Sequence, residues 1–382
     1  MVDFMRRSAL CLLAVFLTAG CDKLQQIGAR PNDPSKSGEP TEGESASAEQ
    51  QASIHVYFSQ VWEKPAANRQ NPHSIAKACV QALSTARRTL DVCCHEIDNK
   101  VIVEAIVQAH LRGVKVRVIT ETDYLNDLGP TAFSEAGIPV ISDNRSALMH
   151  NKFAVMDGVA VWTGSFNFTE NCAYKNNNNG IYIKSPKVAE NYAAWFEWFW
   201  ADGKEPHAKR RGVGPTPNPS VQLRDGTVVE TCLTSFDKME ELPIEIIRGA
   251  KKSVKFLAFS FTHEKIADEM RKAARRGIPV AGVFEERNLK VSVYSQLADE
   301  PNITVVGDGN PFNMHHKVII VDDAIVLAGS FNFTKSACGS NDENYVVISR
   351  NLGVAKQFVE EFNRVYQAAA QKVAAKGSGT TR

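Results

Sequence analysis

The chain has 382 residues, 43% of them hydrophobic and 23% charged, the composition of a folded protein of two or three domains rather than a disordered or fibrous one. Its formal net charge is +1, so no global basic field marks it for nucleic acid, although a local groove can still be basic. The eight cysteines include no CxxC pair and no Cys/His cluster, which argues against a zinc site.

In chain order, the first segment lies outside the fold. "MVDFMRR" is a short n-region ending in two arginines. "SALCLLAVFLTAG" is an apolar run too short to span a bilayer comfortably, and it ends in small residues before Cys21. Residues 1–20 therefore read as an export signal. "LTAGC" resembles the lipobox of bacterial lipoproteins, with Thr18 where the strongest examples carry Leu. The resemblance implies cleavage before Cys21 and lipidation of its thiol and new amine. It further implies a lipoprotein anchored in the bacterial cell envelope, with its folded domains outside the cytoplasm. The alternative is an ordinary secretory signal with Cys21 unmodified. Loss of residues 1–20 removes Arg6, Arg7 and Asp3 and leaves a net charge of zero. Residues 21–52, rich in Pro, Gly, Ser, Glu and Gln, cannot bury a core and read as a disordered tether. Export permits disulfides, but Cys93 and Cys94 lie in an apolar strand-like run and read as buried free thiols.

From residue 53 onward the chain is an internal duplication. "GSFNFT" occurs at 164–169 and again at 329–334. His150 and His315, Lys152 and Lys317, and Asp157 and Asp322 are each 165 residues apart. "RGVKVRVITE" (112–121) matches "RGIPVAGVFE" (276–285) at an offset of 164. The reading is one copy at 53–202, a Pro- and Gly-rich linker at 203–220, a second copy at 221–372 and a flexible tail at 373–382. Each copy is α/β. Apolar runs at 89–97 and 253–261 read as strands. "NKVIVEAIVQAHLRG" and "HEKIADEMRKAARRG" follow with helical periodicity and stop at Gly. "VKVRVIT" and "IPVAGVF" are the next strands, and this strand–helix–strand order predicts a mixed, largely parallel sheet flanked by helices. "KFAVM" and "KVIIV" read as buried strands, with "VAVWTGS" and "AIVLAGS" after them. Each copy closes on a helix whose aromatics, Tyr192, Phe196, Trp200 and Phe358, Phe362, Tyr366, are spaced for a core.

The repeated polar pattern carries the chemistry. Side chains alternate along a strand, so His150 and Lys152 share a face, as do His315 and Lys317. Ser165 and Asn167, and Ser330 and Asn332, are again two apart. Each copy offers an imidazole, an ammonium, a hydroxyl and a carboxamide, half of an anion site. Two copies packed about a pseudo-twofold axis would bring both halves together. That set suits phosphodiester cleavage without a metal or any other cofactor. One histidine attacks phosphorus and the other protonates the leaving oxygen and then activates water. Lys152, Lys317, Asn167, Asn332, Ser165 and Ser330 are the candidates to hold the phosphate oxygens.

HxK, four residues, Asp, then GSxN resembles the signature of the phospholipase D, or HKD, superfamily, here present twice over essentially all of 53–372. The resemblance implies a phosphoric diester hydrolase with two tandem phospholipase D-like domains, His150 and His315 as catalytic residues, and mainly structural roles for Asp157 and Asp322. Small bacterial endonucleases of that family end the region with Asn-x-Glu-Asn, whose Glu bonds the catalytic histidine. Copy two reads "NDEN" with Glu343, whereas copy one reads "NNNN" with Asn178 in its place. If each orients the histidine of its own copy, Glu343 favours a protonated His315 and Asn178 a neutral His150. That makes His150 the nucleophile and His315 the acid, an arrangement that resembles tyrosyl-DNA phosphodiesterase.

The substrate stays open. A membrane anchor, a neutral mature chain and two motifs in one chain favour phospholipid. Short copies and the likeness of copy two to secreted endonucleases keep nucleic acid as the alternative. Arg271, Lys272, Arg275 and Arg276 are either a basic groove or a solvated helix face. The duplication makes a monomer with an internal pseudo-dimer sufficient for one site.

Overall fold

A computed structural model describes residues 53–59, 69–202 and 216–378. The expected signal, Cys21, the tether and most of the linker lie outside these residues. Among the described residues no helix is long and apolar enough to cross a membrane.

Copy one forms a seven-stranded sheet from β1 (Ser53–Phe58), β2 (Thr89–Cys94), β3 (Lys115–Thr120), β4 (Val140–Ser142), β5 (Lys152–Met156), β6 (Ala160–Gly164) and β7 (Asn179–Lys184), in the order β1-β7-β6-β5-β2-β3-β4. Copy two forms an eight-stranded sheet from β8 (Ser220–Gln222), β9 (Val228–Leu233), β10 (Val254–Ala258), β11 (Val280–Phe284), β12 (Ile303–Gly307), β13 (Lys317–Val321), β14 (Ile325–Gly329) and β15 (Asn344–Ser349), in the order β12-β11-β10-β13-β14-β15-β9-β8. The α/β class and the mixed sheets are as expected from the sequence.

The parallel share is smaller than expected. Only β2-β3-β4 and β10-β11-β12 pair in parallel, and every other pairing is antiparallel. The cause is local. Asp157 and Gly158 lie at φ 54° and 67°, and Asp322 and Asp323 at 56° and 55°, so β5–β6 and β13–β14 close as tight hairpins. Where a helix intervenes, the strands cross over in parallel. Asn99 caps helix Lys100–Leu111 by accepting from the Ile102 N–H. Gly113 and Gly277, at φ 89° and 83°, end that helix and its counterpart Glu264–Arg275.

Outer cores cover one face of each sheet, and a shared core lies between the sheets. The two closing helices, Pro186–Asp202 and Leu352–Ser378, supply Tyr192, Trp195, Phe196, Phe358 and Phe362 to that shared core. Phe58 of β1 packs edge-on against Phe358 at 5.1 Å, so the first strand of copy one is seated on the last helix of copy two. Two expected boundaries move. Ser220, placed in the linker, begins β8, and the last helix continues to Ser378, into the segment expected to be a flexible tail. Hydrogen bonding on the sheet edge and continued helical periodicity account for both. Among the described residues Cys79, Cys93, Cys94, Cys172, Cys232 and Cys338 form no disulfide.

Candidate active site

His150 and His315 each sit just before the strand that begins with their lysine, β5 or β13. Each is reached by the opposite copy. The His150 N–H donates to the Asp342 carbonyl at 3.0 Å and the His315 N–H to the Asn177 carbonyl at 2.9 Å. This reciprocal exchange is the pseudo-twofold relation read from the duplication. Glu121 and Glu285 pin the approach by accepting the N–H of Met149 at 2.6 Å and of Met314 at 2.7 Å. Neither glutamate was singled out from the sequence, although both end the matched stretches "VRVITE" and "VAGVFE".

The orienting residues cross over. Glu343 Oε1 lies 2.8 Å from His150 Nδ1, and Asn178 Oδ1 lies 2.9 Å from His315 Nδ1. The expected same-copy pairing is therefore corrected: each copy orients the histidine of the other. The reason is the strand exchange just described, which lays 341–344 beside Met149 and 176–179 beside Met314. Ser59 and Thr234 fix these two segments by accepting the N–H of Asn178 and of Glu343, at 2.6 and 2.8 Å. Gly164 is required at its position because a Cβ would meet the Asn179 carbonyl at 2.4 Å.

The serines are corrected as well. They were expected on the phosphate. Ser165 instead donates to Asn178 Oδ1 at 3.0 Å and Ser330 to Glu343 Oε2 at 2.6 Å, while accepting the N–H of Asn179 and of Asn344. They brace the residues behind the histidines. Asp157 accepts three backbone N–H groups from Arg87, Arg88 and Thr89, and Asp322 those of Lys251, Lys252 and Ser253, so both staple the turn that enters β2 or β10.

Lys152 and Lys317 are buried and donate to the carbonyls of His150 and His315 at 2.6 and 2.8 Å, leaving their remaining N–H bonds for an anion. Burial lowers both, and Lys317 is pushed down further by Lys152. An anion between them would relieve that repulsion. Asn167 is buried, and its Oδ1 has no partner among the described residues; Asn332 Oδ1 shares that condition. Burial, Lys152 and Lys317 hold His150 well below its usual range, and burial with the same lysines does so for His315. Burial raises the Glu343 carboxyl to about 8 against the pull of Lys152, Ser330 and Lys317. The Glu343–His150 pair is thus driven toward its neutral form rather than an ion pair.

Proton placement now differs between the halves. The Asn178 Nδ2 donates to the Cys172 carbonyl at 3.1 Å, which turns its Oδ1 toward His315. An amide oxygen only accepts, so His315 carries its proton on Nδ1 and keeps a lone pair on Nε2. Glu343 can share a proton with His150 Nδ1, which leaves Nε2–H intact whichever of the two holds it. Sequence reasoning also missed His95. Its Nδ1 is 3.1 Å from the Met149 carbonyl and its ring stands edge-on to His150 at 4.9 Å. Phe259 holds the equivalent place, 4.7 Å from His315. The four basic residues offered as a possible groove are paired on their own helix or its neighbours. Arg271 meets Asp268, Lys272 meets Glu269, Arg275 meets Glu300, and Arg276 donates to the Arg248 carbonyl. They form a solvated helix face. A surface cavity of about 600 Å³ beside Glu240, Ile244, Arg248 and Lys265 contains none of the motif residues.

A duplicated α/β chain whose two histidine–lysine strands meet across a pseudo-twofold axis defines a composite two-histidine centre of the phospholipase D kind. The chain belongs to that family: the model described as "Cardiolipin synthase, PLD-like domain" matches residues 79–200 and 244–366. Among curated relatives it is 37% identical over 120 residues to a mitochondrial cardiolipin hydrolase of Chlamydomonas reinhardtii, covering 31% of this chain and 54% of that one. It is 32% identical over 128 residues to a phospholipase D of Rickettsia prowazekii (strain Madrid E), covering 33% and 62%. The chain therefore spans somewhat over half the length of these relatives. The phosphatidylserine synthase of Haemophilus influenzae Rd KW20 superposes with a TM-score of 0.63 over 85% of this chain and 91% of its own, at 12% identity, which shows a shared fold.

Proposed function

We propose that this protein is a phosphodiesterase of the phospholipase D type that hydrolyses phospholipid through a phosphohistidine. The observation that carries the reading is the unequal pair of histidines, one behind an amide and one behind a carboxyl, above two buried lysines. His315 Nε2 attacks phosphorus, and its lone pair forms the P–N bond. The P–O bond to the headgroup breaks, and the leaving oxygen takes the proton from His150 Nε2. His150 then removes a proton from water, whose oxygen displaces His315 from phosphorus. This regenerates both groups and releases phosphatidic acid. Lys152 and Lys317 hold the nonbridging oxygens throughout. The roles are the reverse of those the sequence suggested, by the same electrostatic rule applied to the crossed partners.

Phospholipid is favoured over nucleic acid because Glu96, which is coupled to Lys152 of the site, has Asp98 and Asp127 near it on copy one, an acidic cluster that would repel a polyanion. Leu125, Leu128 and Leu148, exposed on segments leading to the site, suit an acyl surface. Attachment to the cell envelope through Cys21, with 21–52 as tether, belongs to the same reading. Palmitate labelling that is lost in C21S supports it, and labelling retained in C21S overturns it.

The test of function uses the full chain on phospholipid vesicles with EDTA and butanol. Phosphatidylbutanol, missing in H315A, is the expected product. Its absence with the unsubstituted chain, together with cleavage of single- or double-stranded DNA, would transfer the same chemistry to nucleic acid.

A further inference from the structure

The two halves of the site differ where a leaving group would lie. Resting on the phospholipase reading, we infer that the copy-one half forms a subsite for a headgroup bearing a protonated amine, with Glu96 as its main contact. His95 and Glu96 follow the carboxyl end of β2, the end at which open α/β sheets gather ligands. His95 stands edge-on to His150, the proposed acid, at 4.9 Å, and the next residue, Glu96, is coupled electrostatically to Lys152 of the same motif. Glu96 Oε2 is 3.4 Å from Asn167 Nδ2. Asn167 Oδ1 is enclosed, on a residue only 7% exposed, and has no partner among the described residues. His95 gives its Nδ1 proton to the Met149 carbonyl and so keeps a lone pair on Nε2. An unpartnered buried acceptor beside a carboxylate calls for a donor, and a cationic one balances the charge.

Copy two repeats the unpartnered amide oxygen, at Asn332, but lacks the carboxylate and imidazole that accompany it in copy one. At the matching offset of 164, His95 becomes Phe259, Glu96 becomes Ser260, Asp98 becomes Thr262 and Asp127 becomes Val291. Phe259 is already covered, with the Lys317 ammonium 4.6 Å above its ring. The duplication thus supplies an internal control: the same backbone positions, in one copy acceptor-rich and in the other apolar or neutral. In-line displacement places the leaving oxygen on the side of the acid, His150, which is the acceptor-rich side. A headgroup of the ethanolamine or serine type meets it with charge and N–H donors. A glycerol headgroup brings hydroxyls without charge.

The experiment compares the full chain on vesicles of phosphatidylethanolamine and phosphatidylglycerol with identical acyl chains, reading released headgroup as kcat/KM. The expected result is a preference for phosphatidylethanolamine of about tenfold or more, falling about tenfold in E96Q, the scale of one charge-assisted hydrogen bond. E96S, which installs the copy-two residue, should act alike, and H95F should lower the ratio by a smaller factor. Because the ratio is internal, a variant with less folded protein still reports. Hydrolysis of both lipids with a ratio that E96Q and E96S do not move overturns the subsite and leaves the phospholipase reading standing. Hydrolysis of neither lipid by the unsubstituted chain overturns that reading and the subsite with it.

Discussion

The halves around His150 and His315 share a backbone and hold different protons. In both, a glutamate pins the residue before the histidine, a lysine two residues on holds the histidine carbonyl, and a serine braces the orienting side chain. Directly behind the imidazoles they part at one position, Glu343 behind His150 and Asn178 behind His315. Symmetry of the backbone brings the two imidazoles together, while a single side chain decides which Nε2 carries a proton. A site of this kind needs a duplicated scaffold and one asymmetric substitution, rather than two unlike folds.

Removing either histidine breaks the comparison most severely. H315A is expected to lower kcat/KM by about 10³-fold or more and to abolish the phosphoryl-enzyme. H150A is expected to cost about 10²–10⁴-fold on ordinary headgroups. With a nitrophenol leaving group, which needs little protonation, H150A should still accumulate phosphate on His315. Acid quench and mass spectrometry read this directly, and phosphate found on His150 in the unsubstituted chain would reverse the roles. Lys317→Met is expected to cost about 10²–10³-fold in kcat, by loss of a preorganised cation at the nonbridging oxygens.

E343Q makes the halves alike and sharpens the comparison through pH. The Glu343 carboxyl is raised to about 8, so the Glu343–His150 pair holds its extra proton below that pH and loses it above. Activity on alkyl phosphodiesters should therefore fall as pH rises through about 8. E343Q should remove that limb and lower kcat about 10–10²-fold. A limb that survives in E343Q would assign it to another group. His315, held well below its usual range, should add no titration between pH 6 and 8.

Stability effects are smaller. Asp322→Ala frees three N–H groups and should cost about 1–3 kcal/mol in urea unfolding at pH 7. Burial opposes ionisation of Asp322, but donation by Ser253, Lys252 and Lys251 leaves its carboxyl below the usual range. Its contribution is therefore complete above the unfolded carboxylate range and is lost as pH falls through the folded value, so the difference between D322A and the parent should shrink in acid. Smallest of all, Arg275→Gln, on the solvated helix, should leave the urea unfolding midpoint and the activity essentially unchanged. A large loss of DNA binding in that variant would revive the nucleic-acid reading.

Much of this was legible in the residues. The constant offset located both copies, and the HxK spacing located both histidines and lysines, because strand alternation is a local rule. The crossed partners were not legible. A repeat says that two segments are equivalent, but not whether equivalent segments pack within a copy or exchange between copies. A different limit misplaced Ser165 and Ser330, which bond residues 13 positions on in their own copy, a contact the motif spacing does not show. Asp157-Gly158 was a hairpin signal in plain view, and reading it would have tempered the expectation of a largely parallel sheet. His95 carried no motif, and only alignment of its position with Phe259 reveals it.

Because Glu343 serves His150 and Asn178 serves His315, neither half is a weaker duplicate of the other, and neither is a spare. In an assembly of two identical subunits, any change at such a position appears on both sides at once, so both histidines must share a compromise. Fusing the copies into one chain lifts that constraint. Each substitution is made once, and its effect is delivered to the opposite half. On the proposed mechanism, specialising one histidine for attack and the other for proton delivery needs two unlike halves, which the fused form supplies in one chain, and a chain cut within 203–215 should regain function only when both of its own fragments are present together.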